Sequence, residues 1–523
     1  MPPLSRRRFL TLLGGMSAAG FGGARCLDAA TAAREAGDAP FTTKLRIPAR
    51  AGLLAERRLA RPLELVAGVD RLPVFDGFAS NVWNYAAAGD AHDPLLLARR
   101  GDDVDVTLSN RLGQDTTIHW HGLALDEAND GSGLHPVHHG ERRRYAFRVD
   151  NRAALYWYHA HPHFHTGEQV HQGMAGLFVV EDDEELALRE HLDLAWLERD
   201  LPLMIADKQL ARRNELAYKA GADDWIGNRV LVNWTPEPYL DVERATYRFR
   251  IANASNARMF RLAFVSNGNA LPLHLIGSDG GLLERPMPLR DCFVAPAQRV
   301  DVLLDLSALA AGARIRLCSL AYDAMENDGG AAGEDPMLEH PGATPMGGAM
   351  DLMELRVGRA PARRTALPRR LAALPAPAAR GQPVRRFRFR ISERGRWMIN
   401  DWNFLLTGHA PVFEVARGAK EVWEFANEFR SMPHPIHLHG FQFRVLERRG
   451  SPAQARARAV APGGLGAQDL GLLDTVVVWP GERVRIAIDF AQRFAGTQTY
   501  MLHCHNLEHE DQGMMVAFSV RDA

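Results

Sequence analysis

Ten of the 21 histidines of this 523-residue chain fall into four short clusters. The clusters are His119 and His121; His159 and His161; His434, His437 and His439; and His503, His505 and His509. On a β-strand, side chains two positions apart project from the same face, so such a pair can present two imidazoles to one site. Imidazole binds copper, zinc, iron and nickel, so the histidines predict a metal protein without identifying the metal.

The last cluster adds two kinds of sulfur ligand. Cys504, His509 and Met514 follow one another at intervals of five residues, so one loop can bring a thiolate, an imidazole and a thioether to the same ion. With His434 as a second imidazole, they make the His₂Cys set with a weak axial methionine that marks blue-copper electron-transfer sites. A structural zinc site would not need the methionine and would more often use two or four cysteines. The sequence therefore predicts copper.

The order His503, Cys504, His505 also predicts a path for electrons. Side chains alternate along a strand, so the cysteine faces away from its two neighbours. An electron that enters through Cys504 would have a covalent path of one residue to the metals held by His503 and His505.

The elements that carry these residues repeat three times. Short alternating strands separated by Gly, Pro, Asn and Asp are typical of β-sandwich domains. Strands that end in asparagine are predicted at Val104–Asn110, Tyr247–Asn253 and Glu421–Asn427, and each precedes a histidine-led tetrad that ends in glycine: 119–122, 274–277 and 437–440. In the middle tetrad Ile276 replaces the second histidine, so the metal chemistry is assigned to the first and third copies.

The repeat and the chain length predict three domains. We expect them at residues 41–182, 183–357 and 384–523, with the Ala/Pro/Arg-rich stretch 358–383 as a linker. Lysine plus arginine number 62 and aspartate plus glutamate 63, so no field of one sign favours nucleic acid or an anionic membrane as a partner. A small partner is expected instead.

The first 32 residues have the pattern of an export signal. Ser5, Arg6, Arg7, Arg8, Phe9 and Leu10 precede a Gly/Ala/Leu stretch, as in twin-arginine signals. We expect cleavage near residues 30–32 and a periplasmic or secreted mature protein. No other uncharged apolar run is long enough to span a bilayer. Outside this segment, Cys292 and Cys318 either form a disulfide or remain two buried thiols, and the sequence leaves both alternatives open.

Together, the four histidine motifs resemble those of the three-domain multicopper oxidases, which include laccases, bilirubin oxidases and bacterial copper-efflux oxidases. The resemblance covers essentially everything after the signal. It implies an all-β protein of three cupredoxin-like Greek-key β-sandwich domains with four copper ions. Electrons from a small-molecule or metal-ion donor would reduce dioxygen to water.

The resemblance also assigns the copper ligands. It implies a type 1 copper held by His434, Cys504, His509 and Met514; a type 2 copper held by His119 and His437; and a type 3 pair held by His121, His159, His161, His439, His503 and His505. Asp130 and Glu510 match acids that efflux-type oxidases use to deliver protons, with ordinary surface or loop acids as the alternative. We expect His163, His165 and His171 at the surface, with a place next to the copper ligands as the alternative. Asp474, Thr475 and Val476 are expected to begin a structural strand.

The family resemblance does not identify the electron donor, because laccases and copper-efflux oxidases use different donors. Met432 matches a methionine of the efflux-type oxidases, but Arg430 stands where they have an acid, and a cation there would repel a cuprous ion. Efflux-type oxidases also carry a methionine-rich lid over the type 1 site, and the stretch Val384 to Met398 is too short and too poor in methionine to be that lid. A second methionine-bearing segment, with Met325, Met337, Met346, Met350 and Met353, is expected to be a mobile loop of the second domain.

We therefore expect a laccase-like oxidase of phenols or aromatic amines, with cuprous oxidation as a secondary activity. The alternatives are a periplasmic cuprous oxidase in copper tolerance and, from another class, a copper-free cell-division protein of the same architecture. The intact ligand set disfavours the cell-division alternative. A copper-storage or electron-transfer protein would not need the eight histidines outside the blue site.

Overall fold

The computed structural model describes residues 41–48, 54–87, 92–221, 223–325, 341–377 and 381–522. The predicted export signal and Met337 lie outside these ranges. Within them, no helix is long and apolar enough to cross a membrane.

The first β-sandwich packs the sheet β4-β3-β6-β8 against the sheet β2-β5-β10-β9-β7. The strands are β1 (Thr43–Lys44), β2 (Glu56–Arg58), β3 (Leu63–Leu72), β4 (Ser80–Ala87), β5 (Leu95–Arg99), β6 (Asp103–Asn110), β7 (His119–His121), β8 (Arg142–Arg148), β9 (Ala154–His159) and β10 (Ala175–Glu181). The helices are α1 (Glu127–Asp130), α2 (Thr166–Gln172) and α3 (Asp183–His191). Strand β1 lies apart from this sandwich and pairs with a strand of the second one.

The second sandwich packs the sheet β1-β14-β23-β22-β16-β17, with β20 on β16, against the sheet β13-β12-β11-β15-β21-β18-β19. Its strands are β11 (Asp200–Lys208), β12 (Arg229–Val232), β13 (Thr235–Pro236), β14 (Pro238–Val242), β15 (Thr246–Asn253), β16 (Phe260–Ser266), β17 (Asn269–Ala270), β18 (Leu273–Ser278), β19 (Gly281–Leu289), β20 (Cys292–Val294), β21 (Arg299–Asp305), β22 (Arg314–Ser319) and β23 (Met350–Val357). A short 3₁₀ helix spans Arg212–Asn214.

The third sandwich packs the sheet β25-β24-β27-β31-β29 against the sheet β26-β33-β32-β28-β30. Its strands are β24 (Val384–Ile391), β25 (Trp397–Ile399), β26 (Glu414–Ala416), β27 (Lys420–Asn427), β28 (His434–Leu438), β29 (Phe443–Arg449), β30 (Thr475–Val478), β31 (Arg483–Asp489), β32 (Gln498–Cys504) and β33 (Met515–Arg521). Its helices are α4 (Phe404–Thr407), α5 (Ala453–Arg456) and α6 (Leu507–Asp511), with 3₁₀ turns at Pro462–Gly464 and Gln468–Leu470.

Each sandwich has its own apolar core, drawn from the inward faces of both of its sheets. A further apolar cluster joins the first two sandwiches, where Trp157 and Leu177 pack with Met204 and Trp234. Leu507 of α6 joins the same cluster, so these contacts hold all three sandwiches, and the histidines at their edges, in place.

The three predicted strands are confirmed as β6, β15 and β27, and each ends at its asparagine. The asparagine recurs because its side chain makes the same kind of hydrogen bonds in all three sandwiches. In each copy the asparagine amide donates to two backbone carbonyls, one just after the strand and one further along the chain: Gln114 and Val137 for Asn110, Arg258 and Val294 for Asn253, and Met432 and Val478 for Asn427. The two hydrogen bonds tie the turn after the strand to a more distant segment, which fixes the chain ahead of the histidine tetrad.

The expectations for the two cysteines, for the stretch Val384 to Met398 and for the methionine-bearing segment can be compared with the structure. Cys292 and Cys318 are both buried as thiols that form no disulfide, so the thiol alternative holds. The stretch Val384 to Met398 forms strands of the third sandwich and no lid. The expected mobile loop of the second domain is wrong for Met350 and Met353, because both lie in β23 and Met353 is fully buried in the core.

Candidate metal centre

Eight histidines of the four clusters meet where the first sandwich faces the third. Within each sandwich, strand pairing sets His119 opposite His159 and His437 opposite His503. Between the sandwiches, the rings of His119 and His439 stack with centroids 4.0 Å apart, and those of His121 and His437 stack at 3.8 Å. All eight are fully buried: His119, His121, His159, His161, His437, His439, His503 and His505.

The ring nitrogens of this cluster fit metal ions. His503 Nε2 lies 3.0 Å from His439 Nε2 and 3.4 Å from His161 Nε2. Several buried ring nitrogens have no hydrogen-bond partner among the described residues: His119 Nε2, His121 Nδ1, His159 Nε2, His437 Nε2 and both nitrogens of His505. Buried polar atoms are nearly always paired, so this number of unpaired imidazole nitrogens in one cluster indicates bound ions.

Burial also holds these imidazoles in the form that binds metals. Desolvation lowers the pKa of six of them well below the usual histidine value, and the neighbouring imidazoles add to the effect: His121, His159, His161, His437, His439 and His505. Metal ligation requires neutral histidine, so no deprotonation of these rings opposes copper binding near neutral pH.

The second nitrogen of several rings is anchored by oxygen, which selects the nitrogen that faces the cluster. His119 Nδ1 lies 2.8 Å from the backbone oxygen of Asp130, and His439 Nδ1 lies 2.8 Å from the Asp130 carboxylate. His437 Nδ1 lies 2.9 Å from the backbone oxygen of Asp474.

The two acids predicted from the sequence both lie in this layer. Asp130 and Glu510 are almost completely buried, so neither is a surface acid. Glu510 Oε2 lies 3.1 Å from His503 Nδ1, and Glu510 Oε1 accepts a hydrogen bond of 2.7 Å from the hydroxyl of Thr166. Burial opposes the charge of Glu510, but His161, His503 and Thr166 hold the pKa of its carboxyl down at about 2.

Sequence reasoning missed the part that Asp474 plays at the site. Its carboxylate is fully buried and lies 3.1 Å from His121 Nε2. One signal was available, because Asp474 directly precedes a strand that could pair with the strand of the third histidine cluster. In the structure His437 pairs with Thr475.

The predicted blue-copper ligands form a second site within the third sandwich. Cys504 Sγ lies 3.5 Å from His434 Nδ1 and 3.6 Å from His509 Nδ1, and all three side chains are fully buried. Helix α6 positions His509, because the side chain of Asn506 caps its first turn. Met514 is also fully buried. Its backbone oxygen accepts a hydrogen bond from the backbone N–H of Cys504, and its backbone N–H donates one to the backbone oxygen of His509.

Burial has opposite consequences for the two ligand types of this site. It lowers the pKa of His434 to about 3 and raises the pKa of the Cys504 thiol well above its usual range. The imidazole is thus already neutral, whereas the thiol must lose a proton when it binds a metal. Copper fits this set because a thiolate and two imidazoles are its preferred ligands in electron-transfer sites.

One strand connects the two sites. Strand β32 pairs with β28 so that Cys504 lies opposite Ile436, and Cys504 packs in the core of the third sandwich. Its neighbours His503 and His505 reach the histidine cluster, where the His505 ring lies 5.2 Å from the His159 ring.

The three histidines expected at the surface differ in how far they are exposed to solvent. His165 is exposed, and His163 is partly buried with Nδ1 3.1 Å from His409 Nε2. The expectation is wrong for His171, which lies in the last turn of α2 and is fully buried, with its Nε2 3.2 Å from the backbone nitrogen of Gln209.

A cavity between the second and third sandwiches lies beside the blue-copper site and is lined by Pro433 and Pro435, the two neighbours of His434 in the chain. Its lining is largely apolar, with prolines, alanines and three methionines beside the polar residues Asp224 and Asn506. Asp224 Oδ1 lies 3.9 Å from His509 Nε2. The corresponding nitrogen of His434 lies 2.9 Å from the hydroxyl of Ser431. His509 is therefore the ligand next to the polar end of the cavity.

Comparisons with known proteins agree with this geometry. Two family models described as multicopper oxidase match residues 75–185 and 381–523. The chain is 30% identical to a laccase of Bacillus subtilis over 446 residues, which are 78% of this chain and 80% of the laccase. It is 28% identical to the cell division protein FtsP of Xenorhabdus nematophila over 98% of this chain and 97% of FtsP.

The fold agrees as well. The McoA multicopper oxidase from the hyperthermophile Aquifex aeolicus superposes with a TM-score of 0.81 and 33% identity, over 92% of this chain and 99% of McoA. Sequence, fold and ligand motifs all lead to one conclusion: the chain is an all-β protein of cupredoxin-like β-sandwiches that belongs to the multicopper oxidase family.

Proposed function

We propose that this protein is a copper-dependent oxidase that takes single electrons from phenols or aromatic amines and reduces dioxygen to water. One observation carries the proposal: a complete His₂Cys site is joined through Cys504 to a cluster of eight buried histidines. Similarity alone would not suffice, because the relatives include a protein named for cell division as well as a laccase.

The donor would bind in the cavity beside His509. Bound copper would supply the one-electron redox chemistry and the reduction of oxygen. The apolar walls suit an aromatic ring, and Asp224 can accept a hydrogen bond from a phenol hydroxyl or an arylamine at the end nearest His509. Ser431 occupies the outer nitrogen of His434, which favours His509 as the ligand that the donor approaches.

The acids beside the cluster would supply protons. Oxygen reduction to water consumes protons in a site that this chain closes off from solvent, so a nearby carboxylate is required as a carrier. Glu510 reaches His503 and Thr166, and Asp130 reaches His439. We assign proton delivery to both residues.

A second candidate donor is the cuprous ion. Met259, Met346 and Met432 line the same cavity as Asp224, and soft thioethers suit Cu(I). The expected loop of the second domain thus contributes Met346 to the cavity. We place this activity second because most of the lining is apolar and because Arg430, a cation, stands two residues before Met432 in the sequence.

Kinetics with three donors separate these alternatives. Copper-loaded protein is assayed with a phenol, an arylamine and cuprous ion, alongside Asp224→Asn and a Met346→Leu/Met432→Leu double variant. We expect phenol turnover without added copper, a raised KM for the phenol in Asp224→Asn, and phenol turnover within a few-fold in the double variant. Phenol oxidation that requires excess copper and disappears in the double variant would favour the cuprous oxidase.

A further inference from the structure

Arg299 links the second sandwich, which supplies none of the predicted copper ligands, to the histidine cluster. It is the first residue of β21, and its side chain is 1% exposed. We propose that Arg299 is a positioning residue of the trinuclear copper centre: it fixes the Asp474 carboxylate, which in turn fixes His121 with Nδ1 towards the metal. The inference rests on the proposed function.

The guanidinium of Arg299 clamps Asp474 through both of its terminal nitrogens. Nη1 donates to Oδ1 at 2.8 Å and Nη2 donates to Oδ2 at 2.5 Å. The same guanidinium donates through Nε to the backbone oxygen of Leu155 in β9, at 3.0 Å. One planar group is therefore hydrogen-bonded to the first and third sandwiches, while its own backbone belongs to the second. This forked geometry is specific to arginine.

Asp474, held in place by Arg299, in turn contacts His121 of the histidine cluster. Its Oδ1 lies 3.1 Å from His121 Nε2 and accepts a hydrogen bond of 3.0 Å from the hydroxyl of Thr475. A hydrogen bond from Nε2–H leaves Nδ1 of His121 with a free lone pair, and that Nδ1 is one of the buried nitrogens without a partner in the described chain. Such an outer hydrogen bond sets both the tautomer and the orientation of a metal-binding histidine.

Two further features make room for this arrangement and hold it. Asp279 accepts the backbone N–H of Arg299 at 2.8 Å through Oδ1, and its Oδ2 lies 3.3 Å from the backbone nitrogens of Asp474 and Thr475. Gly122 has φ +86°, and a Cβ there would collide with the Asp474 carboxylate and the Arg299 guanidinium. The glycine that ends the first histidine tetrad thus lets the clamp lie directly against the cluster.

The buried group formed by Arg299, Asp474 and Asp279 destabilises the fold if one of its members is missing. Arg299, Asp279 and Asp474 are all buried, and removing one partner of a buried ion pair leaves an uncompensated charge. Lysine at position 299 would keep the charge but could not bond both carboxylate oxygens and Leu155 at the same time. Loss of the fork should therefore loosen His121 selectively, while the blue-copper ligands, which contact none of these groups, stay in place.

Copper retention tests the inference. Copper-loaded wild type, Arg299→Lys and Arg299→Gln are titrated with a chelator, and copper per chain is measured together with the blue absorption and the type 2 EPR signal. We expect both variants to keep the blue absorption and to lose cluster copper at about 10- to 100-fold lower chelator concentration, with an altered EPR signal. Arg299→Gln should be the more severely affected, and if it yields no folded protein, Arg299→Lys decides.

Arg250→Lys is the matched control. Arg250 is equally buried and forms a similar pair with Asp200 and Glu185, but no contact with a predicted ligand is found for it among the described residues. It should retain cluster copper as the wild type does. Wild-type retention in both Arg299 variants would overturn the inference alone. A wild-type protein that binds no copper would overturn the proposed function as well.

Discussion

Cys504 has two tasks in this account, and its surroundings suit both. Its sulfur lies between His434 and His509, and its backbone continues directly into His503 and His505. The raised pKa of the buried thiol means that copper must displace a proton, so the affinity of the blue site for copper should fall as the pH falls.

Cys504→Ser should abolish the blue colour and the oxidase activity while the fold survives, because the thiolate both makes the intense absorption and begins the electron path. Absorption spectra, oxygen uptake and circular dichroism of the copper-loaded variant check this. Serine is nearly the size of cysteine, so the core around it should not collapse. A blue or active variant would contradict the assignment of Cys504.

Met514→Leu should keep the blue copper and raise its reduction potential, since a weak axial ligand is lost without disturbing the trigonal ligands. Leucine replaces the buried methionine with a side chain of similar volume, so packing should be retained. Redox titration gives the answer, and an unchanged or lower potential would count against Met514 as the axial ligand.

At the residue scale, the sequence predicted the side chains that stand in local motifs and missed those that reach the site across the fold. His503, Cys504 and His505 are neighbours in the chain, so their relation could be inferred from strand geometry alone. His121 and Asp474 are 353 residues apart, and Arg299 and Asp474 are 175 apart. Their contacts depend on how the sandwiches pack, and no local pattern encodes that packing.

Helix α6 is the element that brings the two sites together. In five residues it carries His509 towards Cys504 and Glu510 towards His503. The helix packs against α2, whose Thr166 donates to Glu510. A single helical turn thus controls both a blue-copper ligand and the acid that we assign to proton delivery.

Glu510→Gln should slow oxygen reduction by about 100-fold or more, because a positioned acid contributes about that much to a proton-transfer step. Reduction of the blue copper by the donor without oxygen should be unaffected, since it needs no proton from Glu510. Stopped-flow kinetics of both half-reactions separate the two effects.

Glu508→Gln is the control on the same helix. Glu508 is also buried, but its carboxylate contacts Asn256 and Trp225 rather than the histidines, and burial raises its pKa to about 7. We expect its oxygen reduction within a few-fold of wild type. Equal losses in both variants would remove the specific role of Glu510.

At the scale of the elements, the fold was easier to predict from the sequence than the cavity beside His509. The three strands that end in asparagine have one local cause, an amide that donates to the backbone carbonyl 4 or 5 residues further on, so they repeat visibly in sequence. The cavity beside His509 combines residues of two sandwiches, such as Asp224 and Met432, and has no local signature. The domain limits at 182, 357 and 383 stay predictions.

At the scale of the whole molecule, the three sandwiches share the site between them. The first and third supply the histidines, and the second supplies Arg299 to the cluster and Asp224 to the cavity beside His509. The absence of predicted ligands from the second sandwich therefore does not make it a spacer.

Export of the whole molecule is a separate prediction, made on residues outside the described ranges. Replacing Arg6 and Arg7 by lysines should retain the precursor in the cytoplasm, because the twin-arginine pathway reads that pair. Fractionation and immunoblotting of the tagged protein measure this. Normal yield outside the cytoplasm would indicate another export route.

The most direct test of the account is the stoichiometry of oxygen consumption. Limiting amounts of a hydroquinone are added to the copper-loaded protein in an oxygen electrode, with catalase added after uptake stops. We predict one dioxygen consumed for every four electrons supplied and no oxygen returned by catalase, since the product is water. A fully copper-loaded protein that consumes no oxygen, or one whose product catalase converts back to oxygen, would contradict it.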